Sequence, residues 1–155
     1  MRQSISKKVK DKINEDLSPT KNLTGLHLKI VAAIAIIWSL FQLWYASPFP
    51  FIFNFGMFKG LPARAIHLGF ALTLAFLIYP VSKGKKISVF DVLISFVGAF
   101  SCFYIYFFYD QLVDRGGVLL NILIGDSFKL PVELIIGGLG ILTLLEATRR
   151  AIGLP

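Results

Sequence analysis

His67, Asp91 and the trio Glu146, Arg149 and Arg150 are ionisable side chains that fall inside or at the edges of long apolar runs. A charge there is costly enough that each is a candidate for chemistry. His67 is the only one of them with a side chain suited to shuttling protons near neutral pH. A relay needs a second titratable group within one helical turn, and the sequence offers none. An interfacial hydrogen bond from His67 to a neighbouring helix is therefore the favoured reading. Asp91 follows Ser88 by three positions at the start of an apolar run, the spacing of a capping box, and a carboxylate there also meets the positive end of the helix dipole. Capping outweighs a transport role. Glu146 precedes Arg149 and Arg150 by three and four positions, so all three share one face of a helix and form an ion-pair cluster at a membrane boundary rather than a substrate site.

The remaining acids carry less. Asp110, Asp114, Asp126 and Glu133, with Arg115, lack the alternating oxygen-ligand spacing of a calcium loop and read as a solvated rim. Cys102 is the sole cysteine, so an intramolecular disulfide and a cysteine metal cluster are both excluded. The sequence has no glycine loop for phosphate, no nucleophile and base with a plausible enclosure, and no paired catalytic carboxylates. Nothing points to an enzyme, a cofactor or a metal.

What must position these residues is a set of four apolar runs, at about 28–46, 63–79, 88–109 and 130–147. At 1.5 Å per residue each spans roughly 26 to 33 Å as a helix, matching a hydrocarbon core of ~30 Å. The composition agrees, with 55% hydrophobic and 16% charged residues and a mean hydropathy of +0.71. The expected fold is an all-α integral membrane protein of four transmembrane helices. It divides into a basic amphipathic segment, 1–27, and a four-helix membrane domain, 28–155. In the first segment Ile5, Val9, Ile13 and Leu17 recur every four residues among lysines, predicting a short surface helix ended by Ser18-Pro19. The first run lacks a small-residue cleavage site and reads as a retained helix.

Charge sets the orientation. The net charge of +7 is local, since seven of the 16 basic residues lie before residue 30. That pattern indicates topology and anionic-lipid contact rather than nucleic acid. Summed over alternating segments, twelve basic residues stand against four, which places both termini and the 81–87 turn in the cytoplasm and the 47–62 and 110–129 loops outside. Aromatic residues gather at the outer boundary, from Trp44 to Phe58 and from Tyr104 to Tyr109, as rings do at headgroup depth. The 47–62 loop is too apolar to project into water and should lie along the membrane plane or against a partner. Ala35 and Ser39, Ala71 and Ala75, Ser95 and Ala99, and Gly98 and Cys102 place small residues at four-residue spacing, while Gly137, Gly138 and Gly140 add a smooth patch. Such positions let helices approach closely in lipid.

Four stretches carry a resemblance: RAIHLGFALTLAFLIYP (64–80), FDVL (90–93), FFYDQLVDRGG (107–117) and ELIIGGLGILTLLEATRRAIG (133–153). Over about residues 60–155 the chain resembles the amino-terminal, small-permease part of fused TRAP (tripartite ATP-independent periplasmic) transporter permeases. LLEATRR is the most specific element. The resemblance implies a non-catalytic scaffold subunit in a bacterial or archaeal inner membrane. Such a subunit braces a large elevator-type permease that holds substrate and sodium, and helps dock an extracytoplasmic binding protein for organic anions such as dicarboxylates, 2-oxo acids or amino acids. By the same analogy Glu146, Arg149 and Arg150 form a structural cytoplasmic corner and His67 a helix contact. Two departures stand out. Fused relatives run on past a segment like 150–155, so a separately encoded subunit or a piece of a split fusion is expected. The 118–131 stretch is also longer and more apolar than those motifs lead one to expect, which predicts a short outer surface helix. The competing class is a self-assembling channel or structural membrane protein, and it suffers from spans with few polar faces.

Overall fold

The computed structural model describes residues 25–81, 88–116, 118–124 and 128–152. The amphipathic helix expected before residue 25 and most of the 81–87 turn lie outside the described residues. Five helices and one hairpin follow in order: α1 (Leu26–Ala46), α2 (Phe49–Phe53), α3 (Gly60–Ile78), α4 (Val89–Asp114), β1 (Asn121–Ile124), β2 (Phe128–Pro131) and α5 (Val132–Ile152). Three of them, α1, α3 and α4, are long and apolar enough to cross a membrane. The fourth long helix, α5, carries Glu133 in its first turn and Arg149 and Arg150 in its last.

The helix ends follow from local chemistry. α3 begins at Gly60, ahead of the expected 63, because Pro62 sits in a first turn whose N–H groups have no intrahelical partner anyway. α4 runs on to Asp114, five residues past the expected end, and Arg115 N–H donates to the Gln111 carbonyl at its close. The surface helix expected over 118–131 is not formed. Asn121 pairs with Pro131 and Ile124 with Phe128 in an antiparallel hairpin, which satisfies backbone groups across two short strands. The fourth run consequently enters helix at Val132 rather than at 130.

Packing centres on α3. Its buried side include Leu72, Leu74, Phe76 and Leu77, whereas the whole of α1 buries only Val31. One core cluster joins Leu72 and Phe76 to Cys102 on α4 and Ala147 on α5. A second joins Val31 of α1 to Leu74 and Leu77. Close approach is made by glycines: a Cβ at Gly98 would stand 3.3 Å from Leu72 Cδ1 and from Thr143 Oγ1, and one at Gly140 3.3 Å from Ser101 Cβ. The outward faces are apolar, with Ile36, Leu40, Phe96 and Leu142 all more than half exposed. Several interior positions are instead small or polar, among them Asp91, Ser95, Ser101 and Thr143. A chain in water distributes these the other way round, so the arrangement fits lipid as solvent.

The loop between α1 and α3 is built around Trp44. Its ring stacks on Phe53 at 6.2 Å and packs against Phe49 and Phe55. Asn54 closes α2 in the left-handed conformation with φ 50, and Phe55 N–H donates to the Pro50 carbonyl. Gly56, at φ +68, is needed twice over, because a Cβ there would meet Trp44 Nε1 at 2.7 Å.

Candidate functional site: a buried charge clasp and a histidine contact

The four ionisable residues Asp91, Glu146, Arg149 and Arg150 converge at the end of the bundle where α3 finishes, α4 starts and α5 finishes. Ser88 caps α4: its hydroxyl accepts from Phe90 N–H at 3.3 Å, and Asp91 Oδ2 reaches back to accept from Ser88 N–H at 3.2 Å. The capping box is therefore formed. Asp91 does more than cap. Its Oδ1 accepts from Val81 N–H at 3.1 Å, beyond the end of α3, and from Arg150 Nη1 at 2.7 Å. Asp91 is fully buried and the Arg150 side chain is only 5% exposed, so this is an interior ion pair.

Arg150 is held through Nε and Nη1, while Nη2 is buried without a hydrogen-bond partner among the described residues. Nε donates to Glu146 Oε1 at 2.8 Å and Nη1 to the Tyr79 carbonyl at 3.4 Å, with the guanidinium over the Phe76 ring at 4.9 Å. Arg149 takes Glu146 in a two-pronged grip, with Nε and Nη2 each 2.8 Å from a carboxylate oxygen. Two acids meet two arginines, and the formal charges cancel. A pair desolvated to this degree depends on keeping all its partners, since an unmatched charge in the interior costs about 3–5 kcal/mol. Chemically the arrangement clamps: each of the four carboxylate oxygens accepts at least one hydrogen bond from a backbone N–H or a guanidinium.

His67 lies on α3 facing α1. Trp38 Nε1–H donates to His67 Nδ1 at 3.3 Å, Gln42 Nε2 approaches the same nitrogen at 2.6 Å, and the Trp38 and His67 rings meet edge-on at 5.0 Å. An indole N–H only donates, so Nδ1 is the acceptor in the contact with Trp38. The contact ties the otherwise loosely packed α1 to the bundle. Gln42 and Trp38 were not singled out from the sequence; an amide one turn from a tryptophan inside an apolar run was the available signal.

At the opposite end, the residues expected as a solvated rim are partly joined. Arg115 pairs with Glu133 at 2.6 Å, and the Glu133 side chain is only 7% exposed. Glu133 also accepts from Leu120 N–H, tying the hairpin's base to the start of α5. Arg115 Nε donates to the Gln111 carbonyl at 3.0 Å, a cation at a helix C-terminus facing an anion at a helix N-terminus. Lys59, at the start of α3, pairs with Asp110, in the last turns of α4, and this hydrogen bond raises the lysine's pKa above its ordinary 10.5. A raised lysine pKa means that the pair is intact below that value and is lost as alkali titrates the ammonium. Asp114 is exposed, and Asp126 lies outside the described residues.

Among the described residues no group of three or more histidines, cysteines or acids is placed to hold a metal. Compared with known proteins, the chain matches no family model, no curated protein and no solved structure.

Proposed function

We propose that the chain is the small, non-catalytic membrane subunit of a TRAP-type secondary transporter for organic anions, a brace for a large permease and part of the dock for a binding protein. The observation that carries this is a convergence. Three of the stretches that bear the resemblance meet at the clasp: the Tyr79 end of the first, Asp91 of the second, and Glu146 and Arg150 of the fourth. The third meets the fourth through Arg115 and Glu133. Residues far apart in the chain thus serve one rigid frame, as a scaffold requires, and the charges within that frame are consumed by one another.

In this reading α5 is a fourth span, with its charged residues at the two headgroup levels where long side chains reach water. Both termini face the cytoplasm, supported by the excess of basic residues on that side, and the basic segment before α1 lies on the inner surface. Sodium and substrate belong to the large subunit. The test is co-expression with the large permease from the same genome: the two should co-purify in detergent, and organic-anion uptake in vesicles should require both. Uptake by this chain alone, or cross-linking that yields only homo-oligomers, would reject the assignment and favour a self-assembling channel.

A further inference from the structure

The 21 residues of α1 make a helix of about 31 Å, enough to reach from one side of a hydrocarbon core to the other. A chain leaving lipid at that point ordinarily turns polar. This one does not: from Ile30 to Phe58 it carries no charged residue, and beyond the end of α1 it presents Phe51, Ile52 and Phe53 more than 60% exposed, with Phe49 and Phe55 half exposed or more. So dense an apolar surface calls for a cover. Two observations on α2 decide which.

The first is the backbone. A short helix and its flanking turns enter hydrocarbon only if their N–H groups are matched from within. Pro48 and Pro50 have none to match. Ser47 N–H donates to the Trp44 carbonyl, Phe49 N–H to Ser47 Oγ at 3.3 Å, Phe51 and Ile52 to the Pro48 carbonyl, and Asn54 and Phe55 to the Pro50 carbonyl. A protein partner would find little to hold, because interfaces carry roughly one hydrogen bond per 100–200 Å², and from Pro48 to Phe58 the one polar side chain is Asn54. The second is shape. At 100° per residue the exposed positions 49, 51, 52 and 53 spread over about 200° of the helix, leaving the rest to buried Pro50 and to Asn54. A helix docked on a protein turns an apolar stripe of roughly 100° to it, whereas acyl chains follow any contour.

We propose that α2 and Phe55 form a wedge immersed in the acyl chains of the leaflet at which α1 finishes, with Asn54 at its water-facing edge. The proposal rests on α1 crossing the bilayer and not on the transporter role. The wedge gives α1 a hold that its own packing lacks. α1 buries only Val31 among its 21 residues, but Trp44 in its last turn stacks on Phe53 and packs against Phe49 and Phe55. Sliding α1 along its axis therefore drags the wedge with it.

The experiment places single nitroxide labels on a Cys102→Ala background through Phe51→Cys, Ile52→Cys and Asn54→Cys, with Leu40→Cys on the exposed side of α1 as the reference. The full chain is reconstituted in phosphatidylcholine vesicles, alone and together with the large permease. Power-saturation EPR then counts collisions with oxygen, which concentrates in hydrocarbon, and with a nickel chelate, which stays in water. The labels at positions 40, 51 and 52 should meet oxygen severalfold more than nickel and the label at 54 the reverse, with or without the permease. Nickel dominating at 51 and 52 would put the segment in water. Few collisions of either kind there would mean that a second copy covers it, or, if they fall only when the permease is added, that the permease does. Each of these results overturns the wedge. The reference keeps the two readings apart: nickel dominating at position 40 as well fails the membrane crossing itself, whereas oxygen at 40 without oxygen at 51 and 52 fails only the wedge.

Discussion

The Asp91 carboxylate ties three elements with two oxygens: the exit of α3 through Val81, the start of α4 through Ser88 and the end of α5 through Arg150. Asp91→Asn keeps the size and most of the hydrogen-bonding geometry but leaves the Arg150 charge buried beside a neutral amide. It should cost about 3–5 kcal/mol of stability, read by denaturant unfolding in detergent. Combining it with Arg150→Met removes the stranded charge, so the double variant should lose clearly less than the sum of the two single ones. Wild-type stability for Asp91→Asn would mean that the clasp is ornamental. The half of this clasp that lies within one helix was legible in the sequence, because spacings of three and four place Glu146 beside both arginines. The half that joins Asp91 to Arg150 was not: the two are 59 positions apart, and periodicity says nothing about which helix ends become neighbours. His67 was legible as a helix contact, but its partners on α1 were not.

Among the elements, small residues mark two kinds of surface that look alike in sequence. Gly98 and Gly140 are filled by neighbouring helices, whereas Gly137 and Gly138 have open space around them. Gly98→Leu should therefore destabilise the isolated chain by about 1–3 kcal/mol through overpacking. Gly137→Leu should leave the isolated chain's unfolding unchanged and, if that face of α5 meets the large subunit, should reduce co-purification with it. Four-residue spacing singled out Gly98; Ala65 and Gly69 share that spacing but were not singled out, and Gly69 packs against Cys102 and Phe103. The hairpin was illegible for a different reason. Short apolar runs such as Asn121–Ile124 read equally well as helix or strand by periodicity alone, and the expectation of a surface helix rested on the apolar character of the stretch.

At the scale of the whole molecule, the distribution of polarity constrains the surroundings. Large apolar side chains cover the outside, while the interior holds small and polar residues and a neutralised charge cluster beside Leu72 and Phe76, an arrangement compatible with hydrocarbon as the surrounding solvent. The antiparallel arrangement then assigns sides. The Lys59 and Asp110 pair joins the start of α3 to the end of α4 at one end of the bundle, and the Asp91 and Arg150 pair closes the other, where α1 starts and α5 finishes. Because Cys102 is the sole cysteine and is buried, replacing it by alanine gives a background for single-cysteine labelling. In intact cells an impermeant maleimide should modify Asn54→Cys and Asp114→Cys, whereas Ile152→Cys, exposed at the far end of α5, should react only after the membrane is permeabilised. The loops and the end of α5 are separated by the length of a 21-residue helix, about 30 Å, so no tilt of the bundle brings them to one face. Labelling of Asn54→Cys and Ile152→Cys from the same side would mean that α5 does not cross. The four-span frame would then fail, and the scaffold role with it, even if the clasp itself were intact.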